Sequence, residues 1–372
     1  MPGYFRPGAT NLVTGIATAF MDSIPMVAIT CNVGVSLHWP RQLSGDRHHR
    51  SDHADHQIQF HRKRYQKAGR YRAPGIYHRA ERQTGSGPDR YHQGCDCQQN
   101  RVYKERAKKL PQPDCSAFNE DDLKKAIQMI EKAKKPYIFV GGGAILSGAS
   151  EVLKTFVEKK QMHQVCDTLM GKGAYDGTSE NYTGMLGMHG TKASNLGVSH
   201  CDLLIAVGTR FSDRVLGNPK TFAKNAKILQ IDVDPVEINK NICVSASIIG
   251  DVKAVLTVIN RRLEAQEHKE WLDTVKEYKE KYPLTYDKGR LTCPEIMEAI
   301  YDITKGEAVI TTEVGQHQIG AAQFYKYDKP RKFLTSGGLG TMGYGLGASL
   351  GAKVGNPDKD RSKHLQGDGC SV

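Results

Sequence analysis

Three apolar runs in the middle of the chain each end in residues suited to binding a nucleotide. They are VGGGAI at 140–145, VGTRFSDRV at 207–215 and QIDVDP at 230–235. Glycines after a strand let backbone N–H groups approach a ligand closely, and paired arginines suit a diphosphate. An aspartate at a strand end can bind a ribose or a ring nitrogen. Each run also has an ordinary alternative, namely a tight turn, a surface ion-pair cluster and a helix cap.

A fourth stretch, GMLGMHGTKASN at 184–195, is a loop dense in Gly and Met that contains His189. A lone histidine is more often structural than functional. Ligands of open parallel sheets bind at the carboxyl ends of the strands. Taken together, the four stretches therefore favour a dinucleotide site.

The last third of the chain contains a second, more specific series. EVGQHQ at 313–318 follows the apolar run AVITT, and SGGLGTMGYGLGASLGA at 336–352 opens a predicted helix. GDG at 367–369 places an acid between two glycines, which suits a hard cation that carries a diphosphate. GDG alone is a common turn, but this order of motifs is far more specific.

Helices and strands alternate from about residue 119, and this rhythm must position the motifs. NEDDLKKAIQMIEKAKK predicts an amphipathic helix with Asn119 as N-cap, and PYIFV, CDLLIAV and AKILQID predict short buried strands. Strands that alternate with helices indicate an α/β fold with a doubly wound parallel sheet. Near the start, residues 9–23 predict a helix, and MVAIT predicts a strand.

Residues 38–100 have a different composition. Six of the 14 histidines lie in 38–72, and only four Val, Ile, Leu, Met or Phe residues occur in the 63 positions. No helix or strand period is visible there, and no core can be built from it. A metal-binding loop and a basic nucleic-acid arm are alternatives. However, the histidines have no fixed ligand spacing, and an arm would need aromatics on a folded platform.

Bulk properties exclude several classes of function. Half of the net charge of +12 comes from residues 38–100, so charge is weak evidence for nucleic acid. The longest apolar run is broken by Asp22 and Pro25, which argues against a membrane span. Nine cysteines, paired in spacing only at Cys95 and Cys97, indicate a reducing compartment. The expected location is cytoplasmic.

The motifs resemble those of the acetolactate synthase (acetohydroxyacid synthase) large subunits, which are thiamine-diphosphate enzymes. The resemblance covers residues 7–37 and about 102–372, and GMLGMHGT and RFSDRV are closer to this family than to pyruvate oxidases or oxalyl-CoA decarboxylases. It implies a central FAD-type domain flanked by incomplete thiamine-diphosphate-binding α/β domains. The implied divisions are a pyrimidine-domain remnant at 1–37, an out-of-frame, disordered segment at 38–101, an FAD-binding domain at 115–265, a linker at 266–290 and a truncated diphosphate-binding domain at 291–372.

The resemblance implies condensation of pyruvate with a second 2-keto acid, either pyruvate or 2-ketobutyrate, with loss of CO2, in branched-chain amino-acid biosynthesis. FAD would have no net redox role in this chemistry. The residues implied to bind FAD are Gly142, Gly143, Met188, His189, Gly190, Gly208, Arg210, Asp213, Arg214, Asp232 and Asp251. Those implied to bind thiamine diphosphate are Gly315, Gln316, His317, Gly340, Met342, Gly367 and Gly369, with Asp368 as the Mg²⁺ ligand.

The resemblance also implies 2-keto acid substrates, a homo-oligomer and a small regulatory subunit, without nucleic acid or membrane. The family's catalytic glutamate and the second Mg²⁺-binding residue have no counterpart in this sequence, so no catalytic residue is assigned. The chain is therefore expected to be inactive as it stands. Alternatives are an FAD-binding module without catalysis, another enzyme of the pyruvate oxidase or oxalyl-CoA decarboxylase kind, and a basic nucleic-acid binder.

Residues 38–100 also suggest a translational origin. Permitted codons for Arg82 to Gln93, read one base later, give Gly-Arg-Pro-Gly-Pro-Val-Leu-Ile-Asp-Ile-Thr, which resembles the family at this place. Codons for Trp39 to Asp46, read in the same shifted frame, also give family-like sequence. The hypothesis is a frame-shifted copy, with the frame restored near Val102.

Overall fold

The computed structural model describes residues 11–32, 86–92, 118–160, 164–356 and 365–367. These residues fall into two units. One comprises residues 11–32, 86–92 and 336–341, and the other comprises the remaining described residues. Within the described ranges, no helix has the length and apolar character needed to cross a membrane.

The first unit contains one helix and a parallel pair of strands. Helix α1 (Leu12–Met21) is followed by strand β1 (Met26–Asn32), which pairs in parallel with β2 (Ser86–His92). Residues 336–341 pack in the same unit, where the backbone N–H of Gly338 donates to Asp22 Oδ1 at 2.7 Å. The predicted helix and strand near the start are confirmed, with α1 beginning and ending within the predicted limits.

The second unit is built on a parallel sheet of six strands. The strands are β3 (Pro136–Val140), β4 (Val165–Asp167), β5 (Tyr182–Met185), β6 (Leu203–Val207), β7 (Lys227–Asp232) and β8 (Ala246–Ile249). Their order across the sheet is β5-β4-β3-β6-β7-β8, so successive strands are added on one side of β3 up to β5 and on its other side from β6 onward. This is the order of a doubly wound nucleotide-binding sheet. The prediction of an α/β fold with a parallel sheet is confirmed.

Helices cover both faces of this sheet. As a result, every residue of β3 and β6 is buried. The helices of this region are α2 (Glu120–Lys132), α3 (Gly142–Leu146), α4 (Ser150–Glu158), α5 (Lys192–His200), α6 (Asp213–Leu216), α7 (Val252–Arg262) and α8 (Lys269–Lys281). One core contains Ile138 and Val140 and is closed by apolar residues of α2, α4 and α7. The opposite core contains Tyr137 and Phe139 and is closed in part by α5 and α8.

Helix α2 begins where the sequence predicts. Asn119 has extended backbone, and its Oδ1 accepts the N–H of Asp121 at 2.8 Å. Three acidic residues in the first turn favour the positive end of the helix dipole.

Helix α8 packs on the sheet although it lies within the predicted linker. Trp271 is 3 % exposed, and its indole N–H donates to the carbonyl of Pro136 at 3.0 Å. Val275, one turn further, is fully buried in the same core. The charged residues of this segment occupy its outer face, so the helix belongs to the central fold.

A smaller parallel sheet follows, with strand order β10-β9-β11. The strands are β9 (Ile310–Thr312), β10 (Phe333–Leu334) and β11 (Leu365–Gly367), and the helices are α9 (Cys293–Thr304), α10 (Gln316–Phe324) and α11 (Tyr344–Gly355). A third core, which includes Ile310, Ala321 and Tyr327, lies between β9, α9 and α10. Residues of α11 are largely exposed.

One expectation for residues 38–101 needs correction. Residues 86–92 form β2, paired with β1 over all seven positions, whereas the composition of this segment predicts no secondary structure there. Strand pairing uses backbone groups, so it can form without side-chain alternation. Apart from β2, the 38–101 segment lies outside the described residues.

Candidate functional site

The carboxyl ends of β3 and β6 meet at the point where the strand order reverses. The N–H of Gly143 donates to the carbonyl of Gly208 at 3.0 Å, and a Cβ placed on Gly143 would lie 2.8 Å from the Gly208 Cα. Gly208 has a φ of +60°, which favours glycine. These two glycines are therefore required by the close contact between the start of α3 and the turn after β6. Gly142 lies beside them, with room limited by Met170.

The charged residues of the RFSDRV segment differ in burial. Arg210 is half-buried immediately beyond β6. Asp213 and Arg214 are exposed on α6 and form an ion pair with each other at 2.8 Å. The surface ion-pair alternative thus describes these two side chains as they stand, and their contact with a ligand stays a prediction.

Asp232 ends β7 with a buried carboxyl group, which is 7 % exposed as a residue. Its Oδ1 accepts the N–H of Asp234 at 3.0 Å. Burial raises the pKa of Asp232 from its ordinary value of 3.8 to about 6, and the positive charge of Arg210 opposes that rise. A buried carboxyl group with a shifted pKa at a sheet edge is a candidate for ligand binding.

The GMHGT loop is held beside the RFSDRV segment. The N–H of Met188 donates to the carbonyl of Arg214 at 2.9 Å. Asn195 of α5 holds the loop from behind, since its Nδ2 donates to the carbonyl of Gly187 at 3.1 Å. A Cβ on Gly190 would lie 2.2 Å from the Met185 carbonyl, so this glycine makes a tight turn. The side chains of Met188 and His189 are exposed.

Asp251 serves as the N-cap of α7. Its Oδ1 accepts the N–H of Ala254 at 3.0 Å. This cap fully explains the residue type at position 251, and a cofactor contact for it stays a prediction.

A buried ionic cluster lies at the end of β4. Lys172 Nζ lies 3.2 Å from Asp167 Oδ1, an ion-pair contact without hydrogen-bond geometry, and donates to the Tyr182 hydroxyl at 2.6 Å. That hydroxyl donates to Asp167 Oδ2 at 2.8 Å. Burial raises the pKa of Asp167, although Lys172 and Tyr182 act to lower it. The lysine and aspartate side chains are each 5 % exposed, so this cluster is a structural element of the sheet edge.

The smaller sheet carries the second candidate edge. Gly315 ends the turn after β9 with a φ of +156°, and α10 begins at Gln316. His317 is half-buried, and its Nε2 is buried without a hydrogen-bond partner among the described residues. Below it, Gln318 Nε2 donates to Thr335 Oγ1 at 2.7 Å, which ties α10 to the chain after β10. Gln316 is exposed at the helix start.

Glu313 connects this edge to the start of α11. Its Oε2 accepts the N–H of Gly343 at 2.8 Å, and its Oε1 accepts the N–H of Gly345 at 2.7 Å. Met342, immediately before this contact, is 80 % exposed. Gly340 has a φ of +73° and belongs to the first unit.

The GDG motif begins at the same edge. Gly367 ends β11 opposite Thr312, the last residue of β9. Asp368 and Gly369 lie outside the described residues. Among the residues that the structure describes, no group of three or more His, Cys, Asp or Glu side chains could hold a metal ion.

The two candidate edges are linked by α10. Its first residue lies in the GQHQ turn, and Gln323 near its end donates from Nε2 to the carbonyl of His189 at 2.7 Å. Within the second unit, the structure brings Gly142, Gly143 and Gly208 together at one edge, and the GQHQ turn and Gly367 both follow paired strands of the smaller sheet at the other. The roles of Glu313, Asn195 and Gln323 were not predicted from the sequence, because each side chain acts on a backbone group of another segment. Glu313 and Asn195 at least lie inside quoted motifs, whereas Gln323 has no such signal.

Two known protein-domain families match the segments that contain the two candidate edges. The thiamine pyrophosphate enzyme central domain matches residues 123–259, and the C-terminal TPP binding domain of the same enzymes matches residues 313–372. Together the two matches cover more than half of the chain. The doubly wound sheet and the GQHQ edge therefore define the class as thiamine pyrophosphate enzymes.

The similar proteins are acetolactate synthases. The chain is 38 % identical to a probable acetolactate synthase large subunit of Methanococcus aeolicus, over 96 % of this chain and 63 % of the relative. It is 40 % identical to chloroplastic acetolactate synthase 1 of Nicotiana tabacum, over 98 % and 56 %, respectively. It is 35 % identical to the isozyme 3 large subunit of Escherichia coli, over 95 % and 63 %.

The chain belongs to the acetolactate synthase large-subunit family of thiamine pyrophosphate enzymes. It spans less than two thirds of the length of the three relatives named above.

Proposed function

We propose that the function of this chain is that of acetolactate synthase, an enzyme that condenses two 2-keto acids with loss of CO2 in branched-chain amino-acid biosynthesis. The observation that carries the proposal is that similarity to enzymes of this name extends over 94–98 % of the chain and includes both candidate edges. The same similarity favours this function over a pyruvate oxidase or an oxalyl-CoA decarboxylase.

The switch point between β3 and β6 fits the FAD that we propose for the central domain. Dinucleotides bind where the strand order of such a sheet reverses. Arg210, which follows β6, would neutralise the diphosphate, and Asp232, which ends the neighbouring strand β7, would accept a hydrogen bond from a ribose hydroxyl when ionised. Above pH 6 the Asp232 carboxylate is ionised, so we expect FAD affinity to increase as the pH rises through about 6.

The edge formed by β9 and β11 fits thiamine diphosphate with Mg²⁺. The buried Nε2 of His317 requires a polar partner, and an anionic or polar cofactor atom would satisfy it. Asp368, directly after β11, would hold the Mg²⁺. When bound, thiamine diphosphate supplies the nucleophilic carbon for attack on the first keto acid. Gln316 and His317 would orient it through hydrogen bonds, and Met342 would support it through apolar contact.

The first experiment is cofactor binding by the purified chain. We expect a flavin absorption spectrum after incubation with FAD, and an Arg210→Ala variant that binds FAD roughly tenfold more weakly, since hydrogen bonds to charged groups contribute about 1.5–3 kcal/mol. Arg261→Ala, an exposed arginine on α7, is the matched control and should bind as the parent does. A chain that stays colourless at saturating FAD would contradict the FAD site.

The second experiment is turnover. Pyruvate is supplied with FAD, thiamine diphosphate and Mg²⁺, and acetolactate is followed as acetoin after acidification. Acetolactate formation would support the enzymatic proposal and contradict the expectation, drawn from the sequence, that the chain is inactive as it stands. Its absence from protein that has bound both cofactors would restrict the function to cofactor binding.

A second candidate is an FAD-binding module without catalysis. It is favoured by the central sheet, which buries apolar residues on both faces with its own helices. Flavin binding together with no thiamine diphosphate binding would select this candidate. A basic nucleic-acid arm at 38–100 would instead give salt-sensitive retention on DNA that maps to those residues.

We also propose that residues 38–100 are translated out of frame. The shifted reading places Val-Leu-Ile-Asp-Ile-Thr over the residues that form β2, a position where a strand pairs with β1. The nucleotide sequence of the gene tests this proposal. If no other frame of that segment gives sequence similar to the relatives, the proposal fails.

Partners follow from the names of the relatives. The Escherichia coli relative is named a large subunit, so we propose a small regulatory subunit and a homo-oligomer for this chain as well. Size-exclusion chromatography with and without a small subunit of the same genome tests both. A cytoplasmic location stays a prediction.

A further inference from the structure

Glu313 has a buried carboxylate that joins two segments of the chain. This role was not predicted from the sequence. The residue follows β9 directly and is 6 % exposed. Its two oxygens accept the N–H groups of Gly343 and Gly345, which lie 30 and 32 residues further along the chain. One side chain therefore fixes the first turn of α11 to the end of β9.

The glycines at both contacts have a physical reason. Gly343 has a φ of +87°, a conformation that side chains other than glycine rarely adopt. A Cβ on Gly345 would lie 3.1 Å from Glu313 Oε1, so a side chain there would press on the carboxylate. The positive end of a helix favours a negative charge, and hydrogen bonds to a carboxylate are stronger than those between neutral groups.

This contact is close in sequence to the residues proposed to bind thiamine diphosphate. Gly315 and His317 follow Glu313 by two and four residues on one side, and Met342 precedes Gly343 on the other. Met342 has an exposed side chain and is connected directly to the glycine that Glu313 holds. The orientation of Met342 relative to the GQHQ turn thus depends on this carboxylate.

We propose that Glu313 is a positioning residue, which holds Met342 and the Gly315–His317 turn in one arrangement so that together they contact the thiamine cofactor. This inference rests on the proposed function. An alternative is that Glu313 only stabilises α11, and the experiment below separates the two roles.

The test measures thiamine diphosphate binding to the full chain, in the presence of Mg²⁺, by calorimetry. Glu313→Gln keeps the size of the side chain but directs an NH2 group at one of the two backbone N–H donors. We expect affinity to fall roughly tenfold to a hundredfold, as for the loss of a hydrogen bond to a charged group. Peptide-resolved hydrogen exchange should show faster exchange at Gly343 and Gly345.

Two controls distinguish a specific loss of cofactor binding from a general loss of structure. Glu307→Gln alters a glutamate paired with Lys329 at 3.0 Å, before the same strand, and should leave cofactor affinity within about twofold. FAD binding should be the same in all variants, because the two hydrogen bonds of Glu313 go to Gly343 and Gly345 and not to residues proposed for FAD. If Glu313→Gln does not fold, Gly345→Ala displaces the same carboxylate without changing its charge and is expected to weaken binding in the same way.

A double-mutant cycle identifies the route of the effect. In a Met342→Ala background, Glu313→Gln should cost less affinity than it does in the parent, because part of its action passes through Met342. Fully additive losses would show that Glu313 does not act through Met342 and would overturn the inference. Equal binding by the parent and Glu313→Gln would also overturn it, whereas absence of binding by the parent would overturn the proposed function on which it rests.

Discussion

The six-stranded sheet and the three-stranded sheet of the second unit differ in how they bury their apolar residues. In the larger sheet, all residues of β3 and β6 are buried, and helices cover both faces. In the smaller sheet, the strands have two or three residues each, and α11 exposes Leu346, Leu350 and Val354 by 57–80 %. Those three residues are spaced by four and form one stripe along the helix.

This difference shows that one of the two candidate edges has a complete scaffold of its own. The switch point between β3 and β6 is positioned by residues that pack from both sides. The β9 edge has a smaller core around Ile310, and its connections to α11 and to the chain after β10 include polar contacts of Glu313 and Thr335. Substitutions should therefore act mainly through stability in the larger sheet and mainly through local geometry in the smaller one.

The largest expected effect is at Lys172. Lys172→Met removes the cation from a buried pair and leaves the Asp167 carboxyl group without it, which should lower the free energy of unfolding by about 3–5 kcal/mol. Urea denaturation at pH 7 measures this loss. The loss should be smaller at low pH, where the carboxyl group is protonated, and smaller in a Lys172→Met/Asp167→Asn double variant. An unchanged midpoint would contradict a buried ion pair.

A matched pair of leucine substitutions tests the comparison directly. Leu153 of α4 is fully buried, and Leu153→Ala should cost about 2–5 kcal/mol of unfolding free energy. Leu350 of α11 is 61 % exposed, and Leu350→Ala should change stability by less than about 0.5 kcal/mol. Denaturant midpoints of the two variants give the result. Similar losses at both sites would show that the face of α11 is covered in solution.

Asp232 should make stability depend on pH. Its pKa of about 6 in the folded protein exceeds its ordinary value of 3.8, so between about pH 4 and 6 the folded state holds a proton that the unfolded state has lost. The free energy of unfolding should therefore fall as pH rises through this window, by about 2–3 kcal/mol. Asp232→Asn should remove that slope, while Asp213→Asn, which changes an exposed carboxylate, should preserve it. A slope that persists in Asp232→Asn would contradict the assignment.

The smallest effect concerns the start of α2. Asn119→Ala removes a side-chain acceptor for the N–H of Asp121 and should cost about 1 kcal/mol. Thermal denaturation followed by circular dichroism measures it. Asn119→Asp retains the acceptor and should restore stability. A loss far above 2 kcal/mol would indicate a packing role that the exposed Asn119 does not show.

The sequence predicted the elements of the central sheet well, because period and caps are local properties. Asn119 as N-cap and the apolar runs of β3, β6 and β7 follow from neighbouring residues alone. The order of the strands could not be predicted, since it depends on which strands pair across the sheet. The contact between Gly143 and Gly208, which links strands distant in sequence, was missed for the same reason.

The candidate site was predicted in part. The sequence identified the segments that meet at each edge, but not the amide and acid side chains that hold them through backbone groups. The Gln323 contact with the His189 carbonyl carries no sequence signal, because any residue supplies that carbonyl. The β2 strand was missed because its pairing does not depend on side-chain alternation.

Trp271 has a consequence for where the central fold can be divided. A fragment that stopped at residue 265 would lose the indole that covers Tyr137 and leave the Pro136 carbonyl without its donor. A fragment that ran through Lys281 would retain both. Within residues 164–304, proteases should accordingly spare 266–281 and cut first in the irregular segment at 283–292, so that limited digestion, rather than composition, would mark the end of the central fold.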